Sequence, residues 1–193
     1  MLAMIELTEA DVGPPRHSYR EPGAELGILA YQAGWDAGFS AEAELLRRML
    51  AVLQPHIEHV GTTAITGMAA RPIIEVLVGV AQPSAVEFLL ESLRVHGYRA
   101  AEHPEGSGRT GWMGRLLVRW QRGIPTHHVH VVEYLGAGWR QTLLFRDVLR
   151  IDTRLAREYE WLRRRFAGLH PANRVAYARA KTTFIQSVVS RAR

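Results

Sequence analysis

The sequence contains no cysteine. Disulfides and thiolate metal sites are thereby excluded, and a reducing cytoplasm is the expected setting. Lysine is almost as scarce: of the 24 basic residues only Lys181 is a lysine, so arginine carries nearly all the positive charge. No apolar run is long enough to span a bilayer. The best candidate, residues 72–81, is too short and carries Glu75. The N-terminal stretch has early acidic residues and no basic start, so it does not read as a signal peptide. It reads as an arm over residues 1–23, ahead of a single domain over 24–193. No internal repeat, zinc signature, P-loop or Ser-His-Asp set is found.

What is present fits an ordinary soluble domain. The 193 residues are 47% hydrophobic and 22% charged, enough to build a core without staples. The net charge of +5 is unevenly placed. Residues 146–193 hold 12 basic and 4 acidic side chains, whereas residues 1–145 hold 12 basic and 15 acidic. A basic C-terminal part steers anions, although a solvated arginine-rich helix surface has the same composition. No basic stretch interleaved with aromatics falls on a predicted sheet, so nucleic acid is not an expected partner.

Periodicity predicts a helix over 40–53 with Ser40 as its N-cap, and a short strand over 56–60. A turn or short helix follows at 62–70, then a strand over 71–81. Residues 83–98 read as an amphipathic helix ending at Gly97, and 104–114 as a loop or hairpin. Strands are expected at 115–120 and 127–134, joined by a turn at 121–126. From Gln141 onward the pattern is helical. The expected fold class is α/β (α+β), a mixed sheet flanked by helices with a helical C-terminal third.

Several residues carry chemistry. Gly61, Thr62 and Thr63 follow a strand, and such a turn can offer backbone N–H groups and hydroxyls to a phosphate. A Gly-Thr pair is also commonly a plain turn. Glu75 sits inside an apolar strand, where a buried carboxylate costs several kcal/mol, on the order of 2–7 even for uncharged polar groups, unless a partner meets it. It is expected to find a cation, a metal ion or a proton to abstract. His128 and His130, two apart on a strand beside His127, share a face and have a spacing suited to a metal or an anion. Arg146 and Arg150 lie one turn apart and can fork onto a phosphate or carboxylate. Lys181 sits on the last helix, with Tyr177 and Phe184 at helical spacing.

The string "IEHVGTTAITGMAARPIIEVLVGV" resembles the core signature of the GrpB family, a group of bacterial proteins of poorly defined function. "AYQAGWDAGFSAEAELLRRML" (30–50), "HHVHVVE" (127–133), "LLFRDVLR" (143–150) and "YARAKTTFI" (177–185) follow in the family's order. The resemblance covers roughly residues 28–190 and implies a nucleotidyltransferase-like fold. In that superfamily a Gly-Ser turn holds a triphosphate, and carboxylates on neighbouring strands hold two metal ions. Carried over, Gly61 and Thr62 match the phosphate turn, Arg71 stands where Lys is common, and Glu75 matches the first acidic ligand. The second acid is replaced by Leu77, and the later strand offers His128 and His130 instead. The resemblance thus implies binding of a nucleotide or phosphorylated small molecule, including one related to coenzyme A. It further implies metal-dependent nucleotidyl transfer with Glu75 as the catalytic residue. Glu75, His128 and His130 would be the ligands of magnesium, manganese or zinc. Gly61, Thr62, Thr63, Arg71, Arg146, Arg150 and Lys181 would bind phosphate. The alternative is a non-catalytic nucleotide- or coenzyme A-binding module with a degenerate active site.

Overall fold

A run of β-branched residues bounded by prolines makes residues Ile74–Val80 an interior strand of one mixed sheet. The computed structural model describes residues 27–101, 114–169 and 174–192. The expected arm over 1–23 and all but the last residue of the expected loop over 104–114 lie outside these. The strands are β1 (His56–Val60), β2 (Ile74–Val80), β3 (Tyr98–Ala101), β4 (Arg115–Gln121) and β5 (Ile124–Glu133). Their order in the sheet is β1-β2-β5-β4-β3. β2 and β5 run parallel, and every other neighbouring pair is antiparallel.

The β4–β5 hairpin is tighter than the expected turn over 121–126. Arg122 and Gly123 alone make the turn, both with positive φ (51° and 77°), the sign pattern of a type I′ turn. Ile124 and Pro125 already pair with Gln121 and Trp120, and a register shift at Arg119/Trp120 absorbs the mismatch.

The helices are α1 (Gly34–Met49), α2 (Leu90–Arg94), α3 (Ala137–Ile151), α4 (Thr153–Leu169) and α5 (Arg174–Arg191). Two expectations need correction. Ser40 is no N-cap: α1 begins six residues earlier, and the Ser40 hydroxyl donates to the Asp36 carbonyl one turn back. The single helix expected over 83–98 is a 3₁₀ segment, Pro83–Leu89, followed by the short α2. The two segments each bury one apolar side chain, Val86 and Leu93.

One sheet face carries the main core. Trp35, Leu46 and Leu50 from the α1 region pack on Ile74, Val76, Val78 and Val80 of β2 and on Val129 and Val131 of β5. Each such side chain contributes about 1.5–3 kcal/mol by leaving water. On the other face Val60, Leu77 and Val132 pack against Trp139 of α3. A second core lies among the helices: Leu149, Tyr159, Phe184 and Val188 close around Ile65 and Met68. These last two belong to the segment between β1 and β2. The helical third is therefore folded onto the segment that follows Gly61.

Candidate functional site

The site begins where β1 ends. Val60 is registered against Glu75 of β2, and Gly61 follows with φ +69°, a conformation that costs a side-chain-bearing residue about 1–2 kcal/mol. A Cβ on Gly61 would lie 2.5 Å from the carboxyl carbon and Oε2 of Glu75. Only glycine lets the carboxylate fold down over this turn. Thr62–Ala64 then form one turn of 3₁₀ helix, with Ala64 and Ile65 donating back to the carbonyls of Gly61 and Thr62. Two expected residues, Gly61 and Glu75, are thus in contact, and Thr62 is half-buried beside them.

Basic groups surround Glu75. In the parallel register Glu75 pairs with His128 and Leu77 with His130, so both imidazoles share the sheet face of the carboxylate. Burial pushes the Glu75 carboxyl up, but the fields of His130, His128, Lys181 and Arg71 outweigh it and hold the group below the usual carboxylate range. Lys181 arrives from α5, anchored one turn away by the buried Phe184. Arg71 arrives from the segment just before β2. Four of the expected site residues, Arg71, His128, His130 and Lys181, are therefore gathered with Gly61 around the half-buried carboxylate of Glu75.

The turn itself is held from three sides. His59 Nε2 lies 3.0 Å from the Thr63 hydroxyl, His59 Nδ1 lies 3.4 Å from Asp36 of α1, and the ring stacks on Phe39 at 4.6 Å. Burial drives His59 down to about 4 against the opposing pull of Asp36, so the ring is neutral at physiological pH. A neutral ring donates from Nδ1 to Asp36 and accepts the Thr63 proton at Nε2. Arg150 of α3 donates from Nε to the Ala64 carbonyl at 3.0 Å.

Two expectations are corrected here. Thr63 is buried and its hydroxyl is committed to His59, so it braces the turn and offers nothing to a ligand. Arg146 does not grip an anion from outside. Its guanidinium bonds Glu58 at 2.7 Å, Asp147 at 2.8 Å and the His59 carbonyl at 3.0 Å. It clasps α3 to β1.

The donor set does not fit a two-metal centre. Leu77, in the place of the second acid, is buried in an apolar cluster with Val60, Val132 and Trp139. Among the described residues no three His, Asp or Glu side chains are gathered so as to hold a metal ion. The charge of Glu75 is met instead by arginine, lysine and imidazole.

Sequence reasoning missed two polar clusters. On the opposite sheet face the buried Glu42 of α1 accepts from Tyr98 at 2.5 Å and forms an ion pair with Arg119, while His127 lies 3.8 Å away. In the second cluster, α4 clamps the peptide of Ala69: Glu160 accepts its N–H at 3.1 Å and the buried Arg163 donates to its carbonyl at 2.9 Å. A charged residue at a core-facing helical position, as Glu42 is, was the available signal.

Among the described residues no helix is long and apolar enough to cross a membrane. The family of the GrpB protein matches residues 25–191. UPF0157 protein YqkA of Bacillus subtilis is 31% identical over 172 residues, covering 89% of this chain but 48% of its own length, so the chain spans about half of that relative. Glutamate-rich protein GrpB of Alkalihalophilus pseudofirmus is 30% identical over 167 residues, covering 86% of this chain and 95% of that protein. The crystal structure of conserved protein GrpB from Enterococcus faecalis superposes with a TM-score of 0.72 at 28% identity, over 86% of this chain and 96% of the other. Two remoter structures share the fold alone. Cid1 poly (U) polymerase has a TM-score of 0.50 at 16% identity, over 75% of this chain and 46% of that one. The GLD-2/RNP-8 complex has 0.53 at 9% identity, over 84% and 51%. The expected architecture is therefore present, a nucleotidyltransferase-like mixed sheet flanked by helices, and the chain belongs to the GrpB family.

Proposed function

We propose that this GrpB protein binds the phosphate of a nucleotide or phosphorylated small molecule over the Gly61 turn, as a binding module without nucleotidyl transfer. One observation carries the reading: a single half-buried carboxylate, Glu75, folded against the turn and faced by Arg71, Lys181, His128 and His130. Arg71 and Lys181 bring two positive charges toward the one carboxylate of Glu75, a field that favours an anion. Arg150, bonded to the far side of the same turn, adds to it. Thr62, half-buried on the same turn, supplies a further hydroxyl beside Gly61.

Nucleotidyl transfer is the rival reading. It requires Glu75, His128 and His130 to close on one magnesium, manganese or zinc ion. The loss of the second acid to Leu77 favours binding without transfer. Coenzyme A belongs among the ligands to be tried.

The two are separated by thermal unfolding of the protein with ATP, CTP, GTP, UTP or coenzyme A. Each is tested with EDTA, magnesium, manganese or zinc, on wild type, Glu75→Ala and Lys181→Ala. A ligand at one hundred times its dissociation constant stabilises the fold by about 2.7 kcal/mol. The binding reading expects a shift that persists in EDTA and is lost in Lys181→Ala. A shift seen only with metal, and abolished in Glu75→Ala, would replace it with the transfer reading. No shift with any ligand would overturn both.

A further inference from the structure

The outward face of α4 is lined by exposed arginines and one exposed tryptophan. Its inward face is occupied: Leu155, Ala156, Tyr159 and Leu162 join the second core, and Glu160 and Arg163 hold Ala69. The outward positions recur at helical spacing as Arg154, Arg157, Trp161, Arg164 and Arg165, all exposed. Trp161 is 58% exposed, and the Arg165 guanidinium lies over its ring, 4.9 Å from the centroid. Arg164 shares its charge with the half-buried Glu160 at 2.9 Å, and Glu158 is the one acid exposed among these arginines. Among the described residues no ion pair engages Arg154 or Arg157.

From this we infer that α4 presents a binding surface for single-stranded nucleic acid. Exposed arginines at turn spacing follow a line of phosphates, and an exposed indole offers a face on which a base stacks regardless of its identity. Arg165 extends that platform by lying over the ring instead of pairing with an acid. The surface is built on a helix, not on the sheet. A membrane fits less well. An interfacial helix needs an apolar face turned outward, and the apolar face of α4 is already buried in the second core. In the chain α4 follows Arg150, whose guanidinium touches the Ala64 carbonyl of the Gly61 turn. The inference goes beyond the nucleotide reading and does not depend on it.

The test is fluorescence anisotropy of labelled oligouridylate and oligothymidylate single strands, measured from low to physiological salt. The same sequences as duplexes, and phosphatidylserine vesicles, serve as competitors. Wild type is expected to bind single strands with an affinity that falls by about 0.7 log units per log unit of salt for each phosphate met, a total slope of about −2 to −3. Trp161→Ala should weaken binding about tenfold, with Trp161→Phe restoring most of it. Arg154→Glu combined with Arg157→Glu should weaken it at least about tenfold and flatten the salt slope. All these side chains are exposed, so the variants keep the fold, and the thermal midpoint checks this. Absence of binding at low salt would overturn the inference. So would a preference for duplex or vesicles, or affinity unchanged in the Trp161→Ala and double-arginine variants.

Discussion

His59 is a histidine on a strand that cannot be charged where it sits. Its ring is buried against Phe39, and its two nitrogens are taken by Asp36 and Thr63. Arg150 opposes a proton on the ring, while Asp36 and the more distant Glu75 favour one; burial outweighs both attractions and brings the group to about 4. The unfolded chain takes up a proton near 6.5 that the folded chain refuses. The linkage therefore favours folding fully above pH 6.5 and is lost as pH falls from 6.5 to 4. The loss is about 3 kcal/mol. Urea unfolding of wild type and His59→Gln across that window measures it. The stability advantage of wild type should shrink by about that amount between pH 7 and pH 4. A constant difference would mean that the ring is protonated in the folded state, and Nε2 would then donate to the Thr63 hydroxyl instead of accepting from it.

At the scale of elements, the helical third is joined to the sheet at named points. Arg146 ties α3 to β1, and Arg163 with Glu160 ties α4 to Ala69. Arg146→Ala should cost about 2–3 kcal/mol, below the range for fully buried pairs because Glu58 remains partly solvated. Arg146→Met should recover part of this through packing alone. Guanidinium unfolding of both variants gives the comparison; full recovery in Arg146→Met would reduce the clasp to packing, and equal losses would assign it wholly to the ion pairs. These ties also explain what a sequence can and cannot disclose. Strand β2, the hairpin and the three C-terminal helices were legible because period and punctuation are local. Gly61, Glu75, Arg71 and Lys181 were legible through an ordered resemblance. The destination of Arg146 and of the Thr63 hydroxyl was not legible, because each depends on a partner brought near by tertiary packing. Ser40 misled for a related reason: a serine ahead of a leucine run looks like a cap, but the run that matters begins with Trp35.

Across the whole molecule the sheet separates two polar regions that do different things. One face carries the half-buried Glu75 and its basic neighbours. The other buries Glu42 among Tyr98, Arg119 and His127. Burial and the adjacent Glu42 raise the Tyr98 hydroxyl above its ordinary value, and burial lowers His127, so the charge in this cluster rests on Glu42 and Arg119. The cluster joins α1 to β3, β4 and β5, which are distant in sequence. Its loss should therefore lower global stability rather than loosen one element. Glu42→Gln and Arg119→Met are each expected to cost about 3 kcal/mol, since either leaves the other charge without its partner. The double variant should cost clearly less than the sum, with a coupling of about 1–3 kcal/mol. Urea unfolding of the four proteins closes this cycle, and an unchanged dependence on denaturant would show that the transition stays cooperative. Additive losses would mean that Glu42 and Arg119 act separately. The union of α1 with the far edge of the sheet would then rest on the apolar core alone.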